Sequence, residues 1–163
     1  MNQIYTKMKK IVLAVVIILF LVFVTIQFFR PEKNSAEVTE NHILKQEKIP
    51  ENVQVVLKNA CLDCHSNTTN YLWFHHIQPV AWMINDHIVD GKDELNLSNW
   101  GEMDAFDQMD ALDEMCQEVE EGTMPLKSYR LIHSKANLSE TEVDLLCEWS
   151  KNLTDELMRK ATE

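Results

Sequence analysis

The sequence contains few of the residues on which loop-rich β proteins depend. Only 3 glycines and 4 prolines occur among its 163 residues. So few turn residues argue against a fold of many short strands and favour helices. Hydrophobic residues make up 45% of the chain, which is enough for a packed core and too many for a disordered protein. The length allows one ordinary domain with an appendage rather than two full domains.

Basic residues are also scarce. The chain has 15 lysines and arginines against 26 acids, which gives a formal net charge of −11. Binding to nucleic-acid phosphates needs clustered lysine and arginine, so we expect no nucleic-acid partner. The charges are unevenly distributed, since residues 1–30 carry four bases and no acid, whereas all 26 acids follow position 31. The sequence therefore has a basic N-terminal part and a strongly acidic remainder.

An uncharged run of 19 residues extends from Ile11 to Phe29. A helix of this length roughly matches the ~30 Å hydrocarbon core of a bilayer. A cleaved signal peptide is the alternative, but its apolar part normally has about 7–15 residues and precedes a small-residue cleavage site. Residues 25–31 offer no such site. We therefore predict an uncleaved transmembrane anchor at residues 11–29 behind a cytoplasmic N-terminus at residues 1–10. Bases on both sides of the run leave its orientation open on charge alone.

The remaining residues divide into a linker and a domain. Residues 30–48 are polar and show no sustained period, which predicts a linker in which His42 is solvated. In residues 49–163, apolar residues recur at helical spacing in four stretches, which begin near Pro50, Pro79, Glu102 and Ser139. Gly91 and Gly122 are the expected ends of the second and third helices. The predicted fold class is therefore all-α, a small helical domain behind one N-terminal transmembrane helix.

The strongest chemical signal is the motif Cys61-Leu62-Asp63-Cys64-His65, which has the C-x-x-C-H pattern of c-type haem attachment. Two thiols at this spacing on a helical turn can reach the two vinyl groups on one edge of a porphyrin. The imidazole that follows can then bind the iron. Cys61 and Cys64 are therefore the predicted attachment sites of one covalent haem c, and His65 is its predicted proximal iron ligand.

Other kinds of site use similar cysteine pairs. A thioredoxin-type redox pair follows a strand, whereas a helix precedes Cys61. A zinc site needs a second ligand pair at suitable spacing, but Cys116 and Cys147 are 31 residues apart. A plain disulfide within the motif would leave His65 unexplained. Cys116 and Cys147 lie on the inner faces of the third and fourth helices, where free core thiols and a disulfide both remain open.

The sixth iron ligand is less well determined by the sequence. Met124 is the first candidate, because the segment Gly122-Thr123-Met124-Pro125 follows a predicted helix end and can fold back over the haem. A core-filling role for Met124 is the alternative. His133 and His87 are rival ligands, although a histidine placed like His87 is most often a core residue, with a hydrogen bond to a haem propionate as its next role and iron ligation as the last. Three aromatic residues are candidates for the wall of the haem pocket: Trp73, Trp82 and Trp100.

Several segments together resemble the haem-binding domain family common in Bacteroidetes. They are Cys61–Asn70, Ile77–Trp82, His87–Gly91, Leu95–Trp100 and Gly122–Tyr129. The resemblance covers about residues 45 to 155 and implies a membrane-anchored, single-haem c-type cytochrome domain. The chain departs from the family pattern at Leu72, where the family has a proline. This departure affects what the resemblance implies for the local loop and leaves the haem site unaffected. The order of an early C-x-x-C-H, a late Met-Pro and a closing helix is also similar to class I cytochromes c, which supports Met124 as the ligand.

These features predict covalent binding of one haem and electron transfer at the outer face of the cytoplasmic membrane. Histidine and methionine would fill both axial positions of the iron and exclude small substrates. The alternative is a haem-based sensor, a haem enzyme or an accessory subunit with a displaceable sixth ligand. The sequence shows no paired carboxylates for acid–base work and no glycine-rich phosphate loop, so we expect a carrier rather than an enzyme.

Localisation and partners follow from the same reasoning. Covalent attachment of c-type haem takes place outside the bacterial cytoplasm, so we expect a single-pass inner-membrane protein with its N-terminus inside and its haem domain in the periplasm. The expected partners are membrane lipid around residues 11–29 and a redox protein. The third helix carries nine acids from Glu102 to Glu121 and no base. This pattern indicates either a solvated face or a docking surface for a basic redox partner.

Overall fold

The computed structural model describes residues 2–162. Met1, the first residue of the predicted cytoplasmic N-terminus, and Glu163, the last residue of the predicted domain, lie outside the described residues. Within this range every regular element is helical, and the one extended pairing is an isolated bridge between Ser35 and Thr68. The all-α prediction is therefore confirmed. The α-helices of the described range are α1 (Asn2–Ile26), α2 (Ile43–Gln46), α3 (Glu51–Ala60), α4 (Val80–Glu94), α5 (Ala105–Glu120), α6 (Lys127–Arg130) and α7 (Glu140–Thr162).

The chain forms two compact units. The first, here called the anchor unit, comprises the described residues up to Lys33 together with Tyr71–His87. The second, here called the core unit, comprises Asn34–Asn70 and the residues from Ile88 onward. Helix α4 begins in the anchor unit and ends in the core unit.

The anchor unit is built on α1. The most apolar window of Gln3–Ile26 has a mean hydropathy of 2.7 and no buried residue, so this helix is long and apolar enough to cross a membrane. The helix begins before the predicted run at Ile11, because the lysines ahead of it are good helix formers. It ends at Ile26 rather than at Phe29.

Three helices supply most of the buried apolar side chains of the core unit. Helix α5 packs along α7, and α3 also contacts α7. The apolar spacing that predicted these helices also predicted which of their faces point inward. Val53 on α3, Leu112 on α5 and Leu146 on α7 are all buried, as that spacing indicates. A short 3-10 helix between α4 and α5, Leu97–Glu102, completes the core with the buried side chains of Leu97 and Trp100.

A disulfide joins the two long helices of the core unit. Cys116 on α5 and Cys147 on α7 are bonded at an S–S distance of 2.04 Å, which decides between the two states that the sequence left open. The bond spans a sequence separation of 31 residues. In the chain-entropy description, a crosslink of this span stabilises the fold by about 3–4 kcal/mol.

The helix ends agree with the predictions at two places and differ at one. Helix α5 stops before Gly122, whose φ of 70° only glycine adopts without cost. Helix α7 begins with a capping box, in which the Glu142 carboxylate accepts from the Ser139 backbone N–H at 2.9 Å. The expected end of the second helix at Gly91 is wrong, since α4 continues through it to Glu94.

Part of the segment predicted as a linker packs into the core unit. Ile43 in α2 is fully buried, and His42 caps this helix by accepting from the Leu44 backbone N–H at 3.1 Å. His42 is only 3% exposed, so the expectation that it is solvated is wrong. Burial lowers the pKa of His42 below its usual range. A helix of four residues is too short to show a period in the sequence.

Candidate functional site

The C-x-x-C-H motif forms a tight turn directly after α3. Cys61 caps the helix by donating its backbone N–H to Leu57 O at 2.9 Å. The backbone N–H groups of Cys64 and His65 both donate to Cys61 O, at 3.1 and 2.9 Å. The motif therefore forms one hydrogen-bonded turn after the helix end, which places its two thiols and the imidazole close together.

Beside this turn lies a cavity of about 490 Å³, here called the motif cavity. Its volume lies within the range of about 300–1,000 Å³ that is typical of ligand and cofactor sites. Cys61, His65 and Met124 all line it, so the structure brings three of the four predicted site residues to one space. The remaining lining residues are Ala60, Glu94, Leu95, Leu97, Ala111, Glu114, Met115, Gln117, Glu118, Val119 and Pro125.

The imidazole of His65 is held in one orientation. Its Nδ1 lies 3.1 Å from Leu95 O, and a carbonyl oxygen can only accept, so Nδ1 carries the proton. The His65 backbone O in turn accepts from Leu97 N at 2.9 Å. A histidine whose Nδ1–H is bound to a carbonyl keeps the lone pair of Nε2 for a metal, and metal-binding imidazoles usually have such a hydrogen bond.

Cys64, the second predicted attachment residue, is partly buried where α4 passes the turn. A Cβ atom placed on Gly91 would lie 3.2 Å from Cys64 O and 3.3 Å from Cys64 Cβ. Glycine at position 91 therefore permits the close approach of α4 to the motif. This explains why Gly91 lies inside the helix instead of ending it.

Two residues that the sequence reasoning missed fix the far side of the motif. Asp63 is buried, and its Oδ2 accepts from the Tyr129 hydroxyl at 2.8 Å. Its Oδ1 accepts from the backbone N–H of Asn70 at 3.0 Å and from the Asn70 side-chain amide at 2.9 Å. Burial and the hydrogen bond to Asp63 both raise the pKa of Tyr129. A buried carboxylate with this many donors is a structural anchor for the turn.

Met124 reaches the cavity through a compact loop after α5. The backbone N–H groups of Thr123 and Met124 both donate to Glu118 O at 3.1 Å, and the Thr123 hydroxyl donates to the same carbonyl and to the Glu118 carboxylate. Pro125 follows through a cis peptide bond and is buried. The loop thus places Met124 and Pro125 at the motif cavity, and its predicted position over a haem stays a prediction.

Neither of the rival ligands is among the described residues that line the motif cavity. His133 stacks on the Tyr129 ring at a centroid distance of 4.0 Å, and its Nδ1 lies 3.2 Å from Tyr129 O. His87 is a partly buried residue of α4 in the anchor unit.

The three tryptophans proposed for the pocket wall have different surroundings. Trp100 is fully buried in the core unit, where its Nε1 donates to Glu47 Oε1 at 2.9 Å, and it does not line the motif cavity. Trp73 and Trp82 belong to the anchor unit.

Burial raises the pKa of both motif thiols, and acids are the charged residues that line the cavity. Burial, followed by the charge of Cys64, raises the pKa of the Cys61 thiol to about 12. Burial, followed by the charge of Asp63, raises the pKa of the Cys64 thiol to about 11. Both thiols are thus protonated at neutral pH in this fold. Among the described lining residues the charged ones are all acids: Glu94, Glu114 and Glu118.

The family model of the haem-binding domain matches residues 21–152, which is more than half of the chain. The chain belongs to the haem-binding domain family. No curated protein and no solved structure matches it. Membership supports haem binding, and the donors of the motif cavity suit this group. Imidazole nitrogen and thioether sulfur are known ligands of haem iron, and His65 and Met124 bring these two kinds of atom to the cavity. Its apolar side chains suit a porphyrin ring.

Proposed function

We propose that this haem-binding domain protein is a membrane-anchored c-type cytochrome that transfers single electrons. The observation that carries the proposal is the convergence of Cys61, His65 and Met124 on one apolar cavity, with His65 oriented by Leu95. A haem supplies one-electron chemistry at its iron. The chain's own residues attach the group, orient it and exclude water.

Cys61 and Cys64 are the proposed attachment residues. Each thiol would hold the haem through one thioether bond, formed by addition of its S–H across a vinyl group, with the sulfur on one vinyl carbon and the hydrogen on the other. The addition is balanced without an external oxidant. Both cysteines are free thiols here, whereas the other two cysteines of the chain form the disulfide.

His65 and Met124 are the proposed iron ligands. Two protein ligands would leave the iron no site for a small substrate, which favours outer-sphere electron transfer. Apolar side chains on α5, with Leu95 and Leu97, line part of the cavity and would shield a bound haem from water. The disulfide between α5 and α7 stabilises the helix pair that carries this wall. These features favour a fixed geometry in both oxidation states.

The proposed location is the outer face of the bacterial inner membrane, with α1 spanning the bilayer, the N-terminus inside and the core unit in the periplasm. The apolar exposed face of α1 supports a membrane span. The Cys116–Cys147 disulfide supports an oxidising compartment. A basic redox protein is the proposed partner, since acids line the motif cavity and populate α5.

The test is retention of haem after denaturation. We expect the full chain, produced with c-type maturation machinery, to keep its haem through a denaturing gel and to lose that signal in a Cys61→Ala, Cys64→Ala variant. The control is Cys116→Ala with Cys147→Ala, which leaves the attachment residues intact. Haem that dissociates from the unaltered chain under denaturing conditions would contradict covalent attachment. A reduced protein that binds carbon monoxide readily would contradict closed axial positions and support the sensor alternative.

A further inference from the structure

The anchor unit exposes large apolar side chains just beyond the end of α1. They fall in two segments of the sequence, residues 28–29 and residues 72–83. They are Phe28, Phe29, Leu72, Trp73, Trp82 and Met83. Trp73 is 76% exposed. Residues 71–85 contain no charged side chain, in a chain of which 25% is charged. Scattered single apolar residues on a surface need no explanation, but such a concentration marks a membrane or protein interaction site.

Hydrogen bonds attach the second of these segments to the end of α1. The Gln27 side chain accepts from the Gln78 backbone N–H at 3.0 Å and donates to Gln78 O at 3.3 Å. The Gln78 side-chain amide donates to Phe29 O at 2.7 Å, and the Trp82 indole N–H donates to the same oxygen at 2.8 Å. Gln78 and Trp82 are therefore attached to the end of α1.

The polar groups in this region satisfy one another. Gln78 is 0% exposed, and its Oε1 accepts from the Trp82 backbone N–H at 3.2 Å. The Gln27 amide also donates to Phe23 O at 3.0 Å. An apolar medium offers no water to replace missing partners, so polar groups close to the hydrocarbon must be paired within the protein. The two glutamines meet this requirement.

The length of α1 gives the depth of these residues. The uncharged part of the helix runs from Ile11 to Ile26, and 16 helical residues span about 24 Å. The hydrocarbon core is ~30 Å thick. The lysines before Ile11 keep their charges outside it, so about 6 Å of hydrocarbon remains beyond Ile26. Phe28, Phe29 and the indole bonded to Phe29 lie at this depth.

We propose that the aromatic face of residues 71–85, together with Phe28 and Phe29, is inserted in the boundary between the hydrocarbon and the headgroups of the same bilayer that α1 crosses. Its occupant is membrane lipid. Tryptophan and tyrosine are enriched at this boundary because their rings are apolar and one end is polar. Arg30 and Lys33 follow the helix end, and the Lys33 ammonium lies 5.9 Å from the Tyr71 ring centroid. These bases favour anionic headgroups.

The inference does not depend on haem, and its test reads lipid contact directly. A photo-crosslinking residue, p-benzoylphenylalanine, replaces Trp73 in the full chain, which is then reconstituted in vesicles of phosphatidylethanolamine and phosphatidylglycerol. After irradiation, mass spectrometry measures covalent phospholipid adducts. We expect the Trp73 position to form adducts at a yield comparable with that of Phe20 on α1, the positive control for a lipid-facing residue.

The matched negative control is Phe106, which is 70% exposed on the core unit and so resembles Trp73 in type and exposure. We expect at least a fivefold lower adduct yield there. Equal yields at Trp73 and Phe106 would overturn the proposal, as would a crosslink from Trp73 to a second copy of the chain or to another protein in place of lipid. Adducts missing at Phe20 as well would remove the membrane span, and the proposal with it.

A second variant tests the attachment of the segment to α1. Gln78→Ala removes the amide that donates to Phe29 O and leaves Trp73 unchanged. We expect this substitution to reduce the lipid adducts formed at position 73 by at least half. Unchanged adducts would show that the segment reaches lipid without that hydrogen bond and would overturn the proposed fixation.

Discussion

The Tyr129 hydroxyl donates to the Asp63 carboxylate at 2.8 Å, across 66 positions of the sequence. Asp63 lies inside the C-x-x-C-H motif, and Tyr129 lies five residues after Met124. This hydrogen bond therefore joins the turn that carries the proposed proximal ligand to the segment that carries the proposed distal one. In the proposal neither side chain binds the iron, and both position the segments that carry its ligands.

Loss of the Tyr129 hydroxyl is predicted to destabilise this connection. In Tyr129→Phe the buried Asp63 oxygen loses a donor, which costs about 1–3 kcal/mol of the free energy of unfolding. We expect a lower thermal midpoint and weaker methionine ligation in the spectrum of the ferric protein. Tyr71→Phe in the anchor unit is the control. A spectrum and a thermal midpoint equal to those of the unaltered chain would show that the hydrogen bond positions nothing.

Replacement of Met124 is predicted to change the haem itself. In Met124→Ala the thioether is lost, and we expect the reduction potential to fall by on the order of 100 mV, since axial ligands set haem potentials over about 0.8 V. Carbon monoxide should then bind the reduced protein. Potentiometric titration measures the first effect and absorption spectroscopy the second. Met158→Ala, at an exposed site on α7, is the control. An unaltered potential would exclude Met124 as the ligand and return attention to His133 and His87.

The acids of the motif cavity are predicted to lower the reduction potential, because negative charge favours the ferric state. Glu114→Gln removes one of them, and we expect the potential to rise by on the order of 10–20 mV, as a partly solvated charge near the haem acts through a high dielectric. The neighbouring Asp113→Asn, which does not line the cavity, should have the smaller effect. Added salt should reduce the difference between the two variants. A fall in the potential of Glu114→Gln would contradict this account.

The buried His42 is predicted to make the protein less stable in mild acid. Burial lowers its pKa in the folded state, so the unfolded chain takes up the proton at a higher pH than the folded chain does. Its contribution to stability is present above about pH 6.5, the usual histidine value, and is lost as the pH falls below it. Thermal melts at pH 7.5 and 5.5 should show a smaller acid-induced drop for His42→Asn, which keeps a helix-capping side chain. His76→Asn serves as the control, and an equal drop in both variants would refute the prediction.

The sequence predicted the parts of the site that depend on residues close together in the chain. The motif turn follows from five consecutive positions, and the Met124 loop follows from a helix stop with Gly122 and Pro125 beside it. The pairing of Asp63 with Tyr129 is not visible in this way, because aspartate and tyrosine are common residues and only the folded chain brings these two together.

The packing of the His42 segment and of Trp100 could not be predicted from the sequence, for similar physical reasons. The polar segment around His42 packs into the core through a helix too short to show periodicity. Trp100 was proposed for the pocket wall from its residue type, yet its indole is buried against Glu47. Aromatic residues suit a core, a pocket and a membrane boundary alike, so residue type alone does not choose among them.

The Cys116–Cys147 disulfide imposes a condition on the biogenesis of the protein. Four cysteines can pair in three ways, and the proposed function needs only the Cys116–Cys147 bond, since covalent attachment would require Cys61 and Cys64 to stay thiols until they react with the haem. In the proposed periplasmic location, the oxidising conditions that form the long-range disulfide also favour a bond between Cys61 and Cys64. The proposed function therefore requires an order of events in which one pair is oxidised while the other is kept reduced. A cell that supplies haem without a local reductant is then expected to accumulate a folded and correctly crosslinked protein without covalent haem.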